Sequence, residues 1–128
     1  MPLKYSKKVM ENFLHPKNMG EIKNPDGIGK VGNPICGDIM WVYIKIKNNK
    51  ISDIKFKTFG CAAAIATSSM ITQLARGKNI QKAKKIKMKN ITQNLNGLPP
   101  IKMHCSELAI HALKKAIENF EKNKINKF

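Results

Sequence analysis

Apolar and polar positions change period several times along the chain, and each change marks an element. Between Tyr5 and Leu14 the apolar residues Val9, Met10, Phe13 and Leu14 recur at helical spacing. Ser6 can cap that run and His15-Pro16 ends it, which predicts a short first helix. Residues 16 to 34 carry three prolines and four glycines, in stretches such as Asn24-Pro25-Asp26-Gly27, so turns dominate, with one edge strand expected around Ile28 to Val31. Met40, Val42, Ile44 and Ile46 then alternate with Trp41, Tyr43, Lys45 and Lys47, and after Asn48-Asn49 the run Ile51 to Phe59 sets Ile54 and Phe56 on one face. That pattern predicts an antiparallel hairpin with one buried face, its lysines turned to water, because asparagine tolerates the positive φ of a tight turn.

Past Gly60 the period returns to that of a helix. Ala62, Ile65, Ala66, Met70 and Leu74 predict a helix over Cys61 to Arg76, stopped by Gly77. Two small helices are expected between Ile80 and Leu95. Asn96-Gly97-Leu98-Pro99-Pro100 reads as an extended loop, since each proline restricts the residue before it. A last helix is expected from about Ser106, with Ala109, Ala112, Leu113, Ala116, Ile117 and Phe120 as its apolar stripe and a frayed tail from about Lys122. The fold class is therefore α+β: a small, mostly antiparallel three-stranded sheet packed against helices, in one domain over residues 1 to 128.

Length and composition agree with that reading. A chain of 128 residues with 42% hydrophobic residues can bury a core without disulfides. No apolar run approaches the ~20 residues that cross a bilayer, and no signal-peptide core follows Met1, so a soluble, cytoplasmic protein is expected. The net charge of +16 invites a nucleic-acid reading, but 23 of the 24 basic residues are lysine and only Arg76 offers the forked guanidinium that base and phosphate recognition favours. Lys, Asn and Ile, all with A/T-rich codons, make up 53 of the 128 residues, which makes genome composition an alternative explanation of the charge. The densest run, Lys82 to Lys89, reads as a solvated face. Trp41 and Tyr43 read as packing residues, His15 as a helix-end residue and His111 as a surface or half-buried residue. No phosphate loop, serine–histidine–acid set or paired-carboxylate motif occurs.

The three cysteines, Cys36, Cys61 and Cys105, are an odd number for a disulfide framework, which leaves free thiols or metal ligands. Each stands at the end of an element. Cys61 and Cys105 precede helices, where unpaired N–H groups favour a thiolate. The spacing Cys-x24-Cys-x43-Cys does not by itself identify a metal site. Asp38 lies two residues past Cys36 and His104 precedes Cys105, so converging loops would assemble S, S, S, O and N donors, a set that suits zinc or iron–sulfur. Asp38 as a turn carboxylate and His104 as a loop histidine remain the plain alternatives.

Three stretches carry a resemblance: Cys36-Gly37-Asp38, Phe59-Gly60-Cys61-Ala62-Ala63-Ala64-Ile65-Ala66, and Leu98-Pro99-Pro100-Ile101-Lys102-Met103-His104-Cys105-Ser106. In this order, with Tyr5-Ser6 and His15 to Gly20 before them, they resemble the iron–sulfur cluster assembly scaffold family, IscU and the N-terminal domain of NifU. Ala62 stands where many relatives have glycine, and His104 favours the IscU branch over SufU. The resemblance implies a scaffold, not a turnover enzyme, that builds a transient 2Fe-2S cluster from iron and persulfide sulfur and passes it to apo-proteins. By the same resemblance Cys36, Cys61 and Cys105 would ligate the cluster, with Asp38 and His104 as further metal-site residues and Cys105 as persulfide acceptor. Leu98, Pro99, Pro100, Ile101 and Lys102 would form the recognition stretch of an Hsp70-type chaperone, with Ile101 in place of the usual valine. Implied partners are a cysteine desulfurase, the chaperone with its J-protein, a ferredoxin, a frataxin-like protein and apo iron–sulfur acceptors, with neither membrane nor nucleic acid. The alternative readings are a small structural or regulatory zinc protein using the same ligands and, behind it, a basic nucleic-acid-binding module.

Overall fold

The structure, a computed structural model, describes residues 5–33 and 38–126. Helix α1 (Lys7–Leu14) opens on Ser6, whose hydroxyl accepts from the Val9 N–H at 3.0 Å, the cap its position predicts. Strands β1 (Gly27–Asn33), β2 (Asp38–Lys47) and β3 (Lys50–Phe59) form one sheet in the order β1-β2-β3, both pairs antiparallel. Asn48 and Asn49 turn β2 into β3 with φ of 54° and 63°, the two positive values a two-residue hairpin turn requires. A register shift near Lys45 and Ile46 marks a bulge beyond which Ile46 is only half-buried, whereas Met40, Val42, Ile44, Ile54 and Phe56 are fully enclosed. On the open face Trp41 meets Phe59 edge-on at 5.9 Å, with the ammonium groups of Lys30 and Lys57 each 5.4 Å from the indole.

Both sheet edges are managed. The chain at Asn18 to Gly20 runs along β3 and exchanges backbone hydrogen bonds with Phe56 (Gly20 N to Phe56 O 2.7 Å, Phe56 N to Asn18 O 2.9 Å). At β1, the Asn119 side chain accepts from the Ile28 N–H at 3.0 Å. Helix α2 (Ala62–Ala75) lies against the sheet and α1. Its all-round burial explains its run of alanines and small hydroxyls: Thr67, Ser68 and Thr72 return their hydroxyls to carbonyls one turn back, and Ser69 reaches the buried Asn12 at 2.8 Å. Two short helices follow, α3 (Ile80–Ala83) and α4 (Met88–Asn94), as expected.

The last helix differs from expectation at both ends. Pro100–Lys102 form a 3₁₀ turn that runs directly into α5 (Met103–Asn126), so the helix starts three residues earlier than Ser106 and continues past Lys122 to Asn126. Gly97 to Pro99 stay in the loop the sequence predicts, but proline at the first helical position loses no hydrogen bond and brings a ready-made φ, so Pro100 already begins the helical segment. His104 and Cys105 consequently lie inside the first turn of α5.

Helix α5 presses on β1 at glycines. A methyl group on Gly29 would sit 2.0 Å from the Ala112 carbonyl oxygen, and one on Gly27 would sit 2.2 Å from that of Ala116. Neither neighbour is a flexible side-chain end, so Gly29→Ala should lower stability by about 2–3 kcal/mol, the usual cost of forcing extra volume into a packed core, read as a lower urea midpoint.

Candidate metal centre

Four predicted site residues arrive from three directions. Asp38 opens β2, Cys61 is the N-cap of α2, and His104 and Cys105 lie in the first turn of α5. One oxygen of Asp38 and the sulfurs of Cys61 and Cys105 all lie within 4.8 Å of one another. The two sulfurs are 3.9 Å apart, close to the separation of about 3.8 Å that two thiolates take on a tetrahedral ion with ~2.3 Å bonds to sulfur. Cys105 Sγ is 4.0 Å from Asp38 Oδ2 and 3.6 Å from His104 Nε2. The His104 Nδ1 is 3.1 Å from the Ile101 carbonyl, which can only accept, so Nδ1–H donates there and Nε2 is the ring nitrogen that faces the sulfur. Cys36, predicted as the third thiolate, lies outside the described residues.

The surroundings hold these donors in a dry corner. Asp38 is 5% exposed and Cys105 is fully buried, packed with Ala63 and Ala64. Gly60 makes the approach of Asp38 possible: a methyl group there would lie 3.0 Å from the Asp38 carboxyl and 2.9 Å from the Ala64 methyl. Leu98 packs against the same Ala63, Ala64 and Cys105 group, so the proline-rich segment closes the site from the side.

Placing two thiols and a carboxylate this close separates their protonation. The Cys61 thiol is lowered to about 5, first because Cys105 donates a hydrogen bond to it, and further by the N–H groups of Ala64 and Ala63 and the charge of Lys102. Cys105 moves the other way. Its proton is held by that same hydrogen bond, by burial, and by the negative charges of Cys61 and Asp38. Both cysteines occupy helix starts, as the sequence suggests, but without a bound cation only Cys61 gains a stable thiolate, because a second negative sulfur 3.9 Å away is repelled.

Two contributors were not identified as part of the site from sequence. Lys102, read there as a recognition residue, lies close enough to Cys61 for the charge of that sulfur to raise the lysine's own pKa. The phenol of Tyr5 packs against the same group, and its pKa is raised by burial and by the Cys61 charge. Lys102 was within reach of inference, two residues before His104. Tyr5 carries no local signal, being 56 positions from Cys61 in the chain.

A sheet of this topology with thiol, carboxylate and imidazole groups converging at one end has the donor set of small domains able to hold a thiophilic metal. The match to known proteins makes the class specific. The chain matches the NifU-like N-terminal domain over residues 4–127. It is 58% identical over 125 residues to iron–sulfur cluster assembly scaffold protein IscU 1 of Archaeoglobus fulgidus, covering 96% of this chain and 82% of that one. With the IscU scaffold protein of Aquifex aeolicus it shares 45% identity over 122 residues, covering 94% and 78%. Among solved structures, a protein assigned as an iron–sulfur cluster assembly scaffold of the SUF system from Fervidobacterium islandicum AW-1 superposes with a TM-score of 0.76 at 26% identity, covering 88% and 96%. The N-terminal part of a NifU-like protein from Brucella abortus, 20% identical, shares the fold with a TM-score of 0.72, covering 91% and 93%. The chain belongs to the IscU/NifU N-terminal-domain family of iron–sulfur cluster assembly scaffolds.

The divided protonation has a direct readout. In reduced protein kept free of metal, Cys61 should react with iodoacetamide well before Cys105 at pH 6 to 7, and its rate should fall off as pH drops through about 5, where the thiolate is protonated. Peptide mass spectrometry across pH follows both; equal rates at Cys61 and Cys105 would contradict the assigned order of deprotonation.

Proposed function

We propose that this protein assembles a 2Fe-2S cluster as cargo and releases it to apo-proteins, with Cys36, Cys61 and Cys105 as sulfur ligands and Asp38 and His104 completing the donor set. The carrying observation is the convergence of Asp38, Cys61 and Cys105 within 4.8 Å in a chain of this family, with His104 Nε2 beside Cys105. A scaffold needs soft donors to collect a thiophilic cluster and one weaker donor to let it go. The carboxylate of Asp38 is that weaker donor, since a hard oxygen holds such a cluster less firmly than a fourth thiolate would.

The role of Cys105 is to take sulfur. Its thiolate attacks the terminal sulfur of a cysteine desulfurase persulfide; the new S–S bond forms as the donor's S–S bond breaks, and the donor cysteine leaves as thiolate. Two electrons from a ferredoxin then cleave the Cys105 persulfide into a thiolate and sulfide. Because Cys105 keeps its proton while Cys61 is charged, its activation needs a cation at the site, and iron bound to Cys61 and Asp38 supplies one. The electrostatics of the Cys61–Cys105 pair support this order, metal first and sulfur second.

Leu98, Pro99, Pro100, Ile101 and Lys102 are assigned to an Hsp70-type chaperone working with a J-protein. Ile101 is 69% exposed, whereas Leu98 packs beside Cys105 and the charge of Lys102 acts on Cys61. A groove that binds the whole stretch extended must therefore withdraw two groups from the metal centre, which ties capture to release. A frataxin-like protein and apo acceptors complete the set of partners, in the cytoplasm, with the chain acting as one domain over 1–128. No helix among the described residues is long and apolar enough to cross a membrane. Zinc suits the same donors, so zinc in isolated protein is compatible with this role.

Anaerobic reconstitution with iron, cysteine and a catalytic amount of desulfurase, followed by visible absorption and Mössbauer spectra, tests the reading. A 2Fe-2S signal should form and pass to apo-ferredoxin faster than iron and sulfide assemble there unaided. Asp38→Ala should hold the cluster at least several-fold longer, and Cys105→Ser should abolish persulfide transfer. Failure of any cluster to form on reduced, zinc-free protein would overturn the proposal.

A further inference from the structure

A second site lies at the other end of α2. That helix has 14 residues, so at 1.5 Å per residue its two ends are about 20 Å apart, too far for the cysteines and this site to share a ligand. Here a cavity of about 230 Å³ opens between the end of α2 and helices α3 and α4. Lys78, Lys82 and Lys85 converge on it, and no carboxylate lines it among the described residues.

The charge is uncompensated. Lys84, between two of these lysines in sequence, pairs with Glu121 at 2.7 Å, but among the described residues none of the three cavity lysines has a carboxylate oxygen within 4.0 Å. In a chain of net charge +16 their mutual repulsion has no internal relief, and an anion seated between them would supply it. The neutral lining also donates. Asn90 and Asn94 lie one turn apart on α4; Asn90 Oδ1 is occupied by the Lys87 N–H at 2.8 Å, which leaves the Asn90 amide N–H groups for a ligand. The Asn94 amide spends one N–H on the Asn90 carbonyl at 2.7 Å and keeps the other. Leu74 and Ile86 supply apolar wall beside these polar groups.

Size and charge narrow the ligand. A single phosphate group brings about −1.5 to −2 at neutral pH, short of three ammonium groups, whereas two linked phosphates match them. The volume is below the ~300–1,000 Å³ of sites that enclose a drug-sized ligand, so linked phosphates fit while a whole nucleotide would remain partly outside. We propose that this cavity binds a diphosphate group, free or carried by a larger molecule.

The test titrates pyrophosphate into reduced full-length protein in excess chelator, so that no metal bridges ligand and cysteines, read by calorimetry and by phosphorus NMR line broadening. Saturable one-to-one binding is expected. Lys78→Gln/Lys82→Gln/Lys85→Gln should weaken it at least tenfold and Lys82→Gln alone about threefold, while Lys7→Gln/Lys23→Gln/Lys47→Gln, with the same loss of charge, should leave it nearly unchanged. A parallel titration with ADP distinguishes the source: tighter binding than pyrophosphate indicates a carried diphosphate, equal or weaker binding a free one. Equal weakening by both triple variants, or binding of duplex DNA without binding of pyrophosphate, would overturn the proposal.

Discussion

The close approach of α5 to β1 is the constraint on which the rest depends. With hydrogen atoms at residues 27 and 29, the helix backbone settles almost onto the strand, and the sheet and helix become a single rigid body. That body fixes where the start of α5 falls relative to the start of β2. His104 and Cys105 belong to the first of these and Asp38 to the second, so the candidate metal centre inherits its geometry from packing that involves none of its donor groups. Gly60 repeats the device locally, allowing the strand-to-helix corner that carries Cys61 to close over the Asp38 carboxyl.

The electrostatics of the centre follow from that geometry. Three groups able to carry negative charge are held near one another, two of them buried, with Lys102 as the nearby cation. Folding energy from the apolar core maintains a crowding that the charged groups would not choose by themselves. Such crowding is what a multivalent cation would relieve, and the proton held on Cys105 relieves part of it. Such stored repulsion is a general way to make metal capture favourable without making the protein a permanent metal store.

Much of the fold was legible because it rests on local chemistry. Asn48-Asn49 between two alternating runs could be read as a tight turn, and Ser6 as a cap, since each acts within a few residues. The start of α5 was not legible, because two prolines are equally at home in a loop and at the head of a helix, and tertiary packing decides between them. The site was legible in part. Spacing could not bring Cys61 and Cys105 together across 44 positions, and family motifs supplied what periodicity could not. The close contacts at Gly27 and Gly29, and the place of Tyr5 beside Cys61, depend on the assembled fold and leave no local trace.

The edge-on pair of Trp41 and Phe59 has a spectroscopic consequence. Trp41 is the protein's sole tryptophan, it stands on the open face of the sheet, and two lysine ammonium groups lie over its ring. Intrinsic fluorescence excited at the indole band thus comes from one half-exposed position and not from the interior. Its emission wavelength is tuned by Lys30 and Lys57, and a molecule laid across this face alters the signal even when the core and metal centre stay as they were.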